Sequence, residues 1–286
     1  MPAVTLLPGH PIVLAQLDGM MMGVALGVVA LYAHGLSAGG AKAPRWRTLS
    51  LIAGVTLLII AVSPPMEQAA AARFAVHMAQ HLLLILGAAP LIVLARPMPV
   101  VLRGLPARLR SRIAGVMGRA RRLAKPVPLV AVAAAAWLLH AVSVWIWHIP
   151  ALYNAALHNP WIHGLEHATM FLGAVPFWMV VLQPFRAGSL PGVAAVPYLF
   201  TASLHGGALG ALLAVAPTVW YEHGIYAPPD LDLIADQQMA GVIMWMPGAL
   251  IYLGTALALF AYWMAKTKPP VDIIAGDVPR PQEGQR

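Results

Sequence analysis

Cysteine is absent from this 286-residue chain, and charged residues make up only 10% of it. Without cysteine, neither a disulfide framework nor a thiolate metal site is possible, so any metal must bind His, Met or carboxylate ligands. Soluble domains carry about 25% charged residues, so the scarcity of charge excludes that class. Hydrophobic residues fill 60% of the sequence instead, in long uncharged runs that are typical of a membrane protein.

Seven of these runs are long enough to cross a membrane, which requires about 20 mostly apolar residues. No Lys or Arg precedes Lys42, so the first run lacks the basic start of a signal peptide and is expected to be a retained helix. We predict an all-α integral membrane protein, a bundle of seven transmembrane helices within residues 1–266. The predicted spans are 18–37, 48–62, 74–95, 128–147, 162–182, 192–216 and 238–264.

The basic residues predict how the bundle is oriented. With the N-terminus outside and the C-terminus cytoplasmic, every Lys and Arg except Arg73 lies on the cytoplasmic side, as the positive-inside rule requires. The same distribution explains the net charge of +8 without nucleic acid as a partner, since no groove-reading motif is present. We expect the basic loop 97–127 to contain an amphipathic helix over 103–126 that lies on anionic lipid, and 267–286 to be a disordered cytoplasmic tail.

Two pairs of histidines lie just inside the predicted outer surface. HMAQH supplies His77 and His81, and HGLEH supplies His163 and His167. On a helix this spacing puts both imidazoles on one face, so two facing helices can offer four nitrogens to one ion. Three further histidines are candidate ligands, namely His140, His148 and His205. Three polar residues are expected to hold the second ring nitrogen of a liganding histidine, namely Gln80, Glu166 and Asp236. The alternatives for Asp236 are a metal ligand and the N-cap of the seventh helix.

Thioethers are a second kind of ligand on the same side of the membrane. Most methionines in such a protein fill packing gaps. Of the 14 methionines, eight nevertheless map to the predicted outer half: Met20, Met21, Met22, Met66, Met78, Met170, Met239 and Met244. Because thioether with imidazole is a copper(I) ligand set, we predict copper as the metal. Haem held by axial histidines, and zinc, are the alternatives.

HGLEH also matches the inverted zinc-peptidase signature, His-x-x-Glu-His. An intramembrane peptidase would need a third protein ligand, from Asp236 or His81, and a water activated by Glu166. That hypothesis leaves the HMAQH pair, which has no glutamate, unexplained. We therefore expect a protein that binds and transfers a metal, with the peptidase as a minor alternative.

Four segments in this order resemble the caa3-type cytochrome c oxidase assembly factor family (CtaG-like): HMAQHLLLILGAAPLIVLARP, WHIPALYNAAL, HGLEHATMFLGAVPFW and DQQMAGVIMWMPGALIYL. The resemblance covers all seven predicted spans. It implies a multi-pass protein of the bacterial plasma (inner) membrane that helps to produce an active haem–copper oxidase and delivers copper at the outer face. The implied partners are oxidase subunits or a periplasmic copper carrier. By motif, the implied metal positions are His77, His81, His163 and His167, followed by His148 and Asp236.

Overall fold

The computed structural model describes residues 16–37, 43–123, 127–182, 190, 192–222 and 227–267. This part of the chain contains helices and no strand, which confirms the all-helical class. Beyond Thr267, the tail that the sequence predicts to be disordered lies outside the described residues, as do His10 and His223.

Twelve helices follow one another along the described chain. They are α1 (Gln16–Ser37), α2 (Arg45–Ala61), α3 (Pro64–Ala72), α4 (Phe74–Leu82), α5 (Ala89–Ala95), α6 (Met98–Gly104), α7 (Ala107–Leu123), α8 (Leu129–Trp147), α9 (Pro150–His158), α10 (Pro160–Leu182), α11 (Gly192–Ala214) and α12 (Leu233–Thr267). A π-helical segment, Leu83–Ala88, joins α4 to α5.

Six segments of the described chain are long and apolar enough to cross a membrane: Leu17–Ser37, Phe74–Ala95, Leu129–Trp147, Pro160–Leu182, Val193–Ala214 and Leu233–Lys266. The predicted span 48–62 differs, because α2 is followed by α3 at a bend of 50°. Pro64 and Pro65 open α3, and neither has the N–H that would continue α2. The protein is therefore a multi-pass membrane protein with six candidate spans, or seven if the bent pair is one span.

The span Phe74–Ala95 changes its hydrogen-bond pattern just after His81. Pro90 lies in the first turn of α5 and has no N–H to give to the preceding turn. The π-helical segment precedes it, and the Trp178 side chain donates to the Ile85 carbonyl within that segment at 2.8 Å. Single π-helical turns of this kind are frequent at functional sites, and they redirect the helix that follows.

The basic loop contains two helices, where the sequence predicts one over 103–126. Leu105 has an extended backbone that ends α6, and α7 begins after Pro106. Leu105 therefore lies outside the amphipathic helix, although the predicted range 103–126 includes it. Leu109 and Val116 do lie on α7 and are exposed, so its apolar side chains are available to a membrane surface.

Contacts between helices show which helix ends lie together. Asp18 near the start of α1 contacts His167 near the start of α10, and Asp236 near the start of α12 contacts Phe74 at the start of α4. Gln80 of α4 contacts Ala61 at the end of α2. We call this end of the bundle the histidine end, because both histidine pairs lie here. At the opposite end of α1, Gly35 lies directly against Val100 of α6.

Candidate metal centre

The helices α4 and α10 bring the two histidine pairs together at the histidine end. Ring centres are 4.4 Å apart between His77 and His81, and 4.3 Å between His163 and His167. Across the two helices, His77 is 5.3 Å from His163, and His81 is 5.6 Å from His167. Two imidazoles that bind one ion at about 2 Å have ring centres roughly 5–6 Å apart. The two distances across the helices lie in this range, so a ring of α4 and a ring of α10 have the spacing of two ligands of one ion.

Glu166 lies between the two imidazoles of α4. Its Oε1 atom is 3.4 Å from His81 Nε2 and 3.7 Å from His77 Nε2, and the residue is 0% exposed. One ligand atom from each of the three residues lies within 4.8 Å of the others. We call these residues the Glu166 triad. The sequence predicts that Glu166 holds a second ring nitrogen, whereas this position makes its carboxylate a candidate ligand.

A second group contains the imidazoles of HGLEH and two carboxylates from other helices. His167 Nδ1 is 3.0 Å from Asp18 Oδ1, and His163 Nδ1 is 3.3 Å from Glu67 Oε2. The ligand atoms of these four residues also lie within 4.8 Å of one another. We call them the Asp18–Glu67 group. It adjoins the Glu166 triad, since His77 and His167 have ring centres 6.4 Å apart.

Several polar atoms between the two groups have no hydrogen-bond partner. With Asp18 ionised, His167 donates from Nδ1, so its Nε2 atom carries a lone pair. That Nε2 atom is buried and unpartnered, as are Nε2 of His77, both nitrogens of His81 and both oxygens of Glu166. Buried polar atoms in folded proteins are otherwise nearly always paired. A cation bound among these acceptors would pair several of them at once, so the residues fit a metal ion.

Gln80 positions a carboxylate. Its amide nitrogen donates to the Ala61 carbonyl at 2.7 Å and also to Glu67. The sequence predicts that Gln80 holds an imidazole, whereas in the structure its amide holds the Glu67 carboxylate. The bend between α2 and α3 turns Glu67 toward the bundle interior, and Gln80 then holds it beside His163.

Asp236 of α12 accepts a hydrogen bond from the first residue of α4. Its Oδ2 atom accepts the Phe74 N–H at 2.7 Å, three residues before His77. A carboxylate at this position pairs a helix N–H that has no partner within the helix. The predicted N-cap role in the seventh helix is wrong, because α12 begins at Leu233 and Asp232 accepts the N–H groups of Ile234 and Ala235.

The glycine of HGLEH allows α1 to approach α10. A Cβ atom on Gly164 would overlap the Leu17 side chain. Leu17 directly precedes Asp18, whose carboxylate reaches His167 from the same turn. Small residues at helix contacts let backbones approach closely within a membrane. Gly164 is therefore part of the reason that an α1 carboxylate reaches the centre.

Residues 25–266 match the family model described as cytochrome c oxidase caa3 assembly factor (Caa3_CtaG). The chain belongs to this family. The resemblance carried by the four sequence segments is thereby confirmed, and with it a place in cytochrome c oxidase assembly. The comparisons with curated proteins and with solved structures gave no match.

Within the family match, every candidate centre residue is included except Asp18. Sequence reasoning did not select Asp18 or Glu67 as site residues. A signal for both was available, because an ionisable residue in or beside an apolar span is expensive and usually functional. Their partners are distant in the chain, His167 lying 149 residues from Asp18, so helix spacing gave no indication of the contacts.

His148 lies beside the Glu166 triad, at the end of α8. Its ring centre is 6.4 Å from that of His81, and the residue is buried. His148 Nδ1 contacts the Val144 carbonyl at 2.7 Å, and Nε2 lies 3.3 Å from Met78 Sδ. Burial lowers the pKa of His148 to about 4, so the ring is neutral at physiological pH.

His140 and His205 form a separate pair with ring centres 6.0 Å apart. His140 Nε2 is 2.9 Å from the Tyr252 hydroxyl, and His205 Nδ1 accepts the Trp145 N–H at 3.3 Å. Both rings line a cavity of about 40 Å³, which His81 and His148 also line. The three additional predicted ligands therefore do not lie together. His148 lies beside the triad, and His140 and His205 lie elsewhere around the cavity.

Proposed function

We propose that this assembly factor holds copper as cargo in the candidate metal centre and transfers it to an oxidase subunit or a periplasmic copper carrier. The observation that carries the proposal is the buried, unpartnered set of acceptors formed by the Glu166 triad and His167 Nε2. Membership of an oxidase assembly family supports copper over other metals, because the client is a haem–copper enzyme.

The donor chemistry is consistent with copper. Imidazole and carboxylate ligands bind divalent first-row metals in an order that favours copper. In the proposed site, the Glu166 triad and His167 Nε2 are the ligands. Asp18 holds the other nitrogen of His167, and such a partner fixes ring orientation and raises ligand basicity. Glu67 holds His163 Nδ1 beside it.

Charge is the second argument for a cation. Three carboxylates, those of Asp18, Glu67 and Glu166, are buried together, and their ion-pair partners are imidazoles. Buried carboxylates beside neutral rings are costly unless a positive charge offsets them. A bound metal ion supplies that charge at the point where the unpartnered atoms meet.

The rim of the centre suits a labile cargo. The side chains of His163 and Glu67 are 12% and 9% exposed, whereas those of His167 and Glu166 are fully buried. An incoming ion would therefore meet His163 and Glu67 first. Ligands from imidazole and carboxylate, with no thiolate in the chain, also permit release to a partner.

We place the histidine end at the outer face of a bacterial inner membrane. Helices α1, α4, α10 and α12 all begin at this end. The opposite ends join segments that hold almost every Lys and Arg of the chain, and such residues favour the cytoplasm. Copper transfer would then occur on the periplasmic side, and α7 would lie on the anionic inner leaflet.

The experiment is metal analysis and an absorption spectrum on the purified full-length protein after copper loading. We expect His77→Gln and Glu166→Gln each to lose one equivalent of the copper that the wild type binds. His158→Gln is the matched control, because His158 is an exposed histidine 2.6 Å from the Glu222 carboxylate. Stoichiometric copper unaffected by His77→Gln and Glu166→Gln would disprove the site, and a haem Soret band in the spectrum would favour the haem alternative.

A further inference from the structure

The contact between His148 and Met78 joins two atoms that both carry lone pairs. A carbonyl oxygen can only accept, so His148 donates from Nδ1 to the Val144 carbonyl at 2.7 Å. In the neutral ring this leaves a lone pair on Nε2. The nearest partner of that atom is the thioether sulfur of Met78 at 3.3 Å, which is also an acceptor.

A protonated ring would turn this contact into an N–H···S hydrogen bond, but His148 is poorly placed to hold a charge. His148 is 8% exposed and Met78 is 1% exposed. A thioether is a weak acceptor, so it offers little stabilisation to a buried imidazolium. The neutral ring, with its lone pair toward the sulfur, is the favoured form.

We propose that His148 Nε2 and Met78 Sδ are two ligands of a separate site for a soft monovalent cation, copper(I). Imidazole with thioether is a ligand set that selects copper(I). The proposal rests on the proposed function, since it adds a second position for the same cargo. It differs from the Glu166 triad in its donors, because sulfur replaces carboxylate.

The surroundings of these two ligands provide space for further ligands. The site opens into the cavity of about 40 Å³, which has room for roughly three waters. Met244 lines the same cavity. Backbone contacts fix His148, because its carbonyl accepts the Tyr221 hydroxyl at 2.7 Å.

His81 connects the two positions. It belongs to the Glu166 triad and also lines the cavity beside His148. Both of its ring nitrogens are unpartnered. A copper(I) ion moving between the triad and the His148–Met78 site would therefore pass along one imidazole without a change of oxidation state, with carboxylate on one side and sulfur on the other.

Silver(I) is the probe, since it is a soft monovalent cation that stays in one oxidation state during a binding assay in water. Tight silver equivalents are counted on the purified full-length protein, for wild type, Met78→Leu and the control Met170→Leu. Met170 is 0% exposed and lines the same cavity, so its substitution matches the change in packing. We expect Met78→Leu to lose one equivalent, with affinity at least tenfold weaker, and Met170→Leu to keep it. X-ray absorption should find a sulfur neighbour of silver in the wild type.

Three results would overturn the proposal. They are unchanged silver binding by Met78→Leu, an equal loss in Met170→Leu, and a wild-type silver site without sulfur. Zinc(II) binding separates this inference from the proposed function. If Glu166→Gln loses zinc and keeps silver, the two sites are separate. If the wild type binds silver but no zinc, the proposed Glu166 centre is refuted and the His148–Met78 site stands.

Discussion

Two groups of histidines share this bundle, and their hydrogen-bond partners give them opposite chemistry. Asp18 accepts from His167 Nδ1, which leaves a lone pair on Nε2. Trp145 donates to His205 Nδ1, and since an indole N–H can only donate, the neutral ring of His205 carries its proton on Nε2. His167 can bind a metal through Nε2, and His205 cannot while that bond holds. The partner of the first nitrogen therefore decides what the second can do.

The largest expected effect is loss of the lone pair on His167. We predict that His167→Ala removes the one equivalent of copper held at the Glu166 triad, because it removes a ligand and leaves Asp18 without its partner. His205→Ala should retain copper with the wild-type stoichiometry. Both are measured by competition with a chelator of known affinity. Equal losses in the two variants would remove the distinction between the groups.

A smaller effect is expected from the carboxylate that orients the ring. We predict that Asp18→Asn weakens copper binding by about 10–100-fold, the usual range for a residue that supports a metal ligand. The amide can still accept from His167, but it carries no charge to raise the basicity of the ring. The same competition assay applies, and wild-type affinity in this variant would contradict the role of Asp18.

The approach of α1 to α10 provides a third test. Gly164→Ala should lower the free energy of unfolding by about 1–3 kcal/mol, because the added methyl overpacks against Leu17. It should also weaken copper binding, since Asp18 is displaced from His167. Gly206→Ala is the control, because a Cβ atom there meets nothing within 4 Å. Thermal unfolding in detergent and copper competition are the measurements.

The smallest effect is expected at the other histidine group. Tyr252→Phe removes the hydroxyl that lies 2.9 Å from His140. We predict a loss of about 1 kcal/mol in stability, as for one buried hydrogen bond, and unchanged copper affinity. A copper affinity that fell as far as in Asp18→Asn would show that His140 belongs to the centre.

The helices that span the membrane were largely predictable. A span must satisfy its backbone within itself, so hydropathy alone identifies it, and the predicted 74–95 and 128–147 lie within a residue of the helices observed. The bend after α2 was not predicted, although Pro64 and Pro65 mark its position. The position of Glu67 beside His163 was not predicted either. The direction in which α3 turns Glu67 depends on helices that are distant in sequence.

The sequence by itself determined the two histidine pairs, since residues four apart on one helix share a face whatever surrounds them. It also determined the family, through segments that keep their order along the chain. Only the tertiary structure decided how the residues divide, with Glu166 among the α4 imidazoles and Asp18 and Glu67 beside those of α10. The physical reason is that burial and hydrogen bonding select which atom of each side chain remains available, and those partners come from other helices.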